Sequence, residues 1–173
     1  MKRTLVLLFF SLSFFLSAQN QVNVQLDSLI NLTNKLNGNQ LVDILIEIAE
    51  LQAEDDILAL QTADKAIFLA KEQKYSKGLG MAFMAKGSIC IINNNPFNGI
   101  EHYLEAERIF LELDDKFNRA NALMGIAEGY AQQGLFDQAN QSYKLVIPLF
   151  LAIHDHRSLA NAYYKAGTAS NMD

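Results

Sequence analysis

Apolar positions in this chain fall at helical spacing almost throughout, and small and bulky ones return in the same order 40 residues apart. Ala59, Gly99 and Ala139 are in step, as are Ala66, Ala106 and Val146, then Leu69, Ile109 and Leu149, with Phe110 matching Phe150. Ahead of each set, Ala82, Ala122 and Ala162 recur, followed by Gly87, Ala127 and Gly167. Small residues in register with bulky ones imply one helix-on-helix contact rebuilt in every repeat, which is how a solenoid buries its core. No stretch alternates with a period of two, so the pattern predicts an all-α chain.

The same pattern predicts the elements. Val22 to Leu36 carries Val22, Leu26, Leu29, Ile30 and Leu36 on one side, an amphipathic helix ended by Asn37-Gly38-Asn39. Helix pairs then follow near 40–53 and 56–73, near 77–93 and 97–113, and near 116–133 and 137–153, before a last helix at 156–170. Asp115 and Asp155 stand just before two of these helices, where a carboxylate can accept the free amide hydrogens of the first turn. Pro148 falls inside a helix and cannot donate to the carbonyl of Lys144, which predicts a kink.

The first residues read differently. Met1-Lys2-Arg3 is a short positive start, Leu5 to Leu16 is almost purely apolar, and Ser17-Ala18-Gln19 is small and polar. This is the pattern of a secretory signal peptide over residues 1–19, and the run is well short of the ~20 residues of a spanning helix. The mature chain is therefore expected to be periplasmic or secreted. The division expected is a signal peptide at 1–19, a leading helix and turn at 20–39, and repeats at 40–79, 80–119 and 120–159, with a partial or capping helix at 160–173. No later segment is long and apolar enough to span a bilayer.

Composition narrows the function classes. Half of the 173 residues are hydrophobic, enough for a continuous core, and the single cysteine rules out an internal disulfide framework. Removing Lys2 and Arg3 from the 14 basic residues leaves 12 against 19 acidic, a net charge of −7. A mixed, mildly acidic surface lacks the basic stripe of nucleic-acid binders and suits a basic or neutral partner.

The repeat resembles the tetratricopeptide repeat, a helix-turn-helix unit with small residues at fixed positions. In the third repeat Leu123, Ala127, Tyr130, Gly134, Phe136, Ala139, Tyr143 and Val146 stand where that family has its large, small, aromatic and glycine positions. The second matches through Phe83, Gly87, Gly99, Tyr103 and Ala106, but has Lys86, Cys90 and Pro96 where a leucine, a tyrosine and a turn aromatic are usual. The first matches through Ala59, Ala63 and Ala66, and its first helix fits if the turn is about two residues shorter, with Ala49 at the small position. The resemblance covers roughly residues 40 to 173 and implies a right-handed α-solenoid. With its 40-residue period behind a signal peptide, the chain is similar to exported sensory regions of bacterial signalling proteins, often associated with histidine kinases.

In that family, the first helix of each pair lines a concave groove. The resemblance places Met81, Met84, Ser88 and Ile91, then Asn121, Met124, Glu128 and Ala131, then Asn161, Tyr164, Thr168 and Asn171 on it. Thioether surface offers apolar contact and amides can bond a peptide backbone, so a peptide or protein partner is expected. The lysine and asparagine that clamp a peptide carboxylate in some members are replaced by Met84 and Ser88, so no such clamp is expected.

Catalytic chemistry has little to stand on. His154-Asp155-His156 has the residue types of a zinc site, but falls in an inter-repeat loop where a solvated turn and a helix cap account for it. Glu101, His102 and Glu105 share a helix face as mixed surface charge, and Cys90 reads as a buried, inert thiol. No phosphate-binding glycine loop, paired zinc histidines or nucleophile elbow occurs. The expected function is an exported, non-catalytic interaction module without cofactor or metal, the sensory or scaffolding part of a signal-transduction system. The alternatives are a stand-alone periplasmic assembly scaffold and a small metal-dependent enzyme using the His154/His156 loop. The final helix is expected to be either a polar cap or the front of a longer chain, the latter leaving an aromatic patch near Tyr163.

Overall fold

The computed structural model describes residues 21–53 and 55–170; the expected signal peptide and Asn171 lie outside them. The described residues form a row of eight helices with no strand. A leading helix, α1 (residues 21–33), is followed by α2 (Gly38–Leu51), α3 (Asp56–Glu72), α4 (Ser76–Ile92), α5 (Pro96–Glu112), α6 (Lys116–Gln132), α7 (Phe136–Ala152) and α8 (His156–Ser170). The expected boundaries of α2 to α8 agree to within two residues. The leading helix is shorter than expected, because the Lys35 amide bonds the Leu32 carbonyl at 2.9 Å and turns the chain before Leu36. Asn37 and Gly38 accordingly open α2 and do not close α1, with Gly38 in the left-handed region at φ 57°.

One turn is reused five times from α3 onward. Lys74, Asn94, Asp114, Gly134 and His154 each take a positive φ, between 52° and 73°, two residues after a helix ends. The amide of the following residue then reaches back five positions: Tyr75 to Ala70, Asn95 to Cys90, Asp115 to Phe110, Leu135 to Tyr130 and Asp155 to Phe150, at 2.8 to 3.1 Å. This left-handed closure satisfies carbonyls that a helix end leaves free. Both expected caps are present. Asp115 accepts from the Asn118 amide and Asp155 from the Ser158 amide, each at 3.0 Å. Asp55 and Asn95 do the same for α3 and α5, from Leu58 at 3.2 Å and Asn98 at 3.4 Å. Pro96, at the first position of α5, gives up an amide that had no helical partner in any case. Helix α7 continues past Pro148 to Ala152, and the ring sits on an exposed face.

Packing follows the repeat. Ala59, Ala66, Ala82, Ala106, Ala122, Ala127, Ala139, Val146 and Ala162 are fully buried, and Phe110 and Phe150 fill the space beside them. Gly87 and Gly99 bring α4 and α5 so close that a methyl group added to either would lie 3.0 to 3.1 Å from the other's carbonyl oxygen. Ala49 and Ala59 share one fully buried cluster, the same contact one repeat earlier. Gly167 departs from this pattern. It lies in open space, and Tyr163 and Tyr164 are 54% and 72% exposed where their α6 counterparts Leu123 and Met124 are buried. No described helix follows α8 to cover that face.

Candidate functional site: the concave groove

From α2 onward each helix packs on its neighbours in sequence, and in addition α2 touches α4 and α4 touches α6. No pair among α3, α5 and α7 meets to a comparable extent among the described residues. The first helices of the pairs are therefore gathered on the inner side of the stack while the second helices splay outward. The groove is the surface of α2, α4 and α6, and α8, which packs on α7, carries it further along the row.

The residues expected on this surface are distributed unevenly along it. Met81, Met84 and Ser88 on α4 are half-buried, with both methionines packed against the core of the following repeat. Asn121 and Glu128 on α6 are also half-buried, whereas Met124 is 7% exposed and belongs to the core. Asn161 and Tyr164 on α8 are exposed. Four of the eight, namely Asn121, Met124, Glu128 and Asn161, come together around one cleft of about 190 Å³ between α6 and α8. Met81, Met84, Ser88 and Tyr164 do not line it.

The cleft also contains residues that the repeat pattern does not place in the groove: Tyr103, Gly125, Phe150 and Ser158. Tyr103 belongs to an outer helix, α5, yet reaches the inner side because Gly125 and Gly87 present no side chain in its way. A methyl group at Gly125 would lie 2.3 Å from the Tyr103 ring and one at Gly87 would lie 2.9 Å from it. The signal was available: a glycine inside a helix costs about 1 kcal/mol relative to alanine, so Gly125 needed a packing reason.

Burial first, and nearby carboxylates after it, set the electrostatics here. Burial pushes the Tyr103 phenol up to about 12; a hydrogen bond with Ser88 works against that, and the nearby Glu128 and Glu50 carboxylates add to it. Tyr143 is likewise pushed up to about 12 by burial and then by Glu128. Partial burial, and next Glu47, raise Glu50. The Lys165 ammonium of α8 donates to Glu128 Oε1 across the groove. At its end, Gln132 on α6 donates to the Ile91 carbonyl and Asn94 Oδ1 at 3.2 Å, and Asn93 donates to the Ala53 carbonyl at 3.1 Å, tying each inner helix to the one before.

Of the residues with metal-site chemistry, Asp155, His102 and Glu105 have contacts of other kinds. His154 is the left-handed residue of its turn, and the Asp155 carboxylate, held below its ordinary range by the Ser158 hydrogen bonds, caps α8. His102 stacks on Phe83 at 6.2 Å, and Glu105 pairs with Arg108 at 3.1 Å. Among the described residues no three His, Cys, Asp or Glu side chains converge as a metal group. Cys90 is buried, and burial raises its thiol.

Inner helices are gathered, outer helices are splayed, and one small-residue contact is rebuilt along the row. The architecture is a tetratricopeptide-like α-solenoid. Among solved structures the chain is similar to a signal-transduction ATPase with numerous domains from Pyrococcus horikoshii that carries a tetratricopeptide repeat sensor, at a TM-score of 0.63 and 20% identity. That match covers 74% of this chain and 21% of the ATPase, so the chain spans about a fifth of that protein's length. No family model matches the sequence, and a comparison with curated proteins finds no match. No described helix is long and apolar enough to cross a membrane.

Proposed function

We propose that this protein is an exported, non-catalytic protein-interaction module, the sensory or scaffolding part of a bacterial signal-transduction system, which holds a peptide or protein segment in its concave groove. The observation that carries the reading is the inner surface itself. Met81 and Met84 on α4 provide half-buried thioether surface, and Asn121 on α6 and Asn161 on α8 provide side-chain amides further along the inner side, a combination suited to an extended or helical segment. Export rests on the basic start and apolar run of residues 1–19. The signalling role rests on the 40-residue variant of the repeat behind such a leader, and on the sensor use of this repeat in the Pyrococcus ATPase.

A photo-crosslinking residue at Ser88, in the groove, and another at Leu104, on the outer face, test the proposal in living cells. The groove position should yield a discrete adduct that the outer position lacks, on protein that has lost about its first 19 residues. Equal labelling from both positions, or no adduct from Ser88, overturns groove binding. Retention of the leader on protein in the cytoplasm overturns export.

A further inference from the structure

The cleft between α6 and α8 has a chemistry of its own. Its polar groups are the Tyr103 hydroxyl, the side-chain amides of Asn121 and Asn161, the Ser158 hydroxyl and the Glu128 carboxylate, while Met124 and Phe150 lie buried behind its floor. Every one of those polar groups can accept a hydrogen bond, and none of the lining residues is a cation. At about 190 Å³ the space is smaller than the roughly 300–1,000 Å³ of ordinary cofactor pockets. It has room for one side chain.

We propose that this cleft takes a single basic side chain, lysine or arginine, from the segment held in the groove. The proposal rests on the groove reading above and adds the identity of one contact. The cationic head would meet Glu128, Tyr103 and the two asparagine oxygens. Glu128 has capacity for it, since only Oε1 is engaged, by Lys165, and Oε2 has no partner among the described residues. The Lys165–Glu128 pair is itself partly exposed, with side-chain accessibilities of 33% and 40%, so water screens it and an incoming cation can share or replace it. Lys165 thus shows within the chain the interaction that the partner would make.

The test uses four capped alanine pentapeptides whose central residue is lysine, arginine, norleucine or glutamine. They are titrated into the nitrogen-labelled full chain while amide shifts are followed. Lysine or arginine peptides should move the Gly125, Asn121 and Asn161 resonances saturably and bind at least about tenfold more tightly than norleucine. Glu128→Gln should abolish that preference, and Lys165→Met should tighten binding of the basic peptides by a few-fold. Circular dichroism of both variants should match the parent. Equal binding of all four peptides along α4 and α6 overturns the basic pocket while leaving the groove in use. A preference that survives Glu128→Gln, or no response to either basic peptide, also overturns it, and the crosslinking outcome then judges the groove independently.

Discussion

Tyr103 shows how much of the inner surface depends on what a neighbouring residue lacks. Its ring occupies the place of a Gly125 side chain, so Gly125→Ala should destabilise the fold by about 1–3 kcal/mol, although alanine is the better helix former by about 1 kcal/mol. Urea denaturation checks this. Combining the change with Tyr103→Ala, which empties the space, should give a loss well below the sum of the two single losses, because the residues touch. Additive losses would mean the glycine matters for some other reason. The two buried phenols carry a second expectation. Tyr103 and Tyr143 have folded-state pKa values of about 12, above the unfolded value near 10. Folding therefore holds both protons, a stabilisation complete below pH ~10 and lost as pH rises toward ~12. The melting temperature should fall across that window, and a Tyr103→Phe/Tyr143→Phe variant, with nothing to ionise there, should fall less steeply. Parallel curves would contradict it. Gly125 also marks a limit of what hydropathy can report. The apolar pattern identifies Tyr103 as a packing residue, but its reach to the groove depends on a glycine in the next helix, outside any helical period.

At the scale of the element, the repeated turn explains both the regular spacing and the histidine loop. Lys74, Asp114 and His154 occupy left-handed conformations that cost a side-chain-bearing residue about 1–2 kcal/mol and glycine almost nothing. Each should therefore tolerate glycine, with a gain of about 1 kcal/mol partly offset by the freer unfolded chain. Gly134→Ala should lose about the same amount. Thermal melts of His154→Gly and Gly134→Ala, shifting in opposite directions, check the pair. A His154→Gly variant that lost both stability and a stoichiometric metal would instead support a metal site at that loop. These helices were legible because small and bulky positions recur on them over several repeats, and Asp115 and Asp155 were legible as caps because each stands 40 residues from the other just ahead of a helix-patterned segment, where its carboxylate can accept first-turn amides. The end of α1 was not legible. Leu36 extends its apolar face by one position, while the turn at Lys35 is decided by backbone bonding that hydropathy does not report.

Over the described helices taken together, packing is uneven, and stability should be graded with it. Helix α4 packs on α2, α3, α5 and α6, whereas α8 packs substantially on α7 alone. The difference lies in large side chains: Leu123 and Met124 of α6 are buried, and their α8 counterparts Tyr163 and Tyr164 are largely exposed. Full burial of such a side chain is worth about 1.5–3 kcal/mol, so α8 should open at several kcal/mol less than α4 to α6. The groove inherits this gradient. Asn121 and Glu128 stand on one of the best-held helices, while Asn161 and Lys165 stand on the least held, so the cleft they share is completed by a helix that opens easily. Periodicity alone could say which residues face inward but could not show this, because it treats every repeat alike. Native-state hydrogen exchange provides the measurement. Amides of α8 should exchange first, those of α4 and α6 last, and any segment that bridges Glu128 and Asn161 should slow α8 selectively, since a ligand stabilises the closed state to which it binds. Exchange of all helices at one common rate would mean that the chain opens as a single unit, and the graded stack would have to be abandoned.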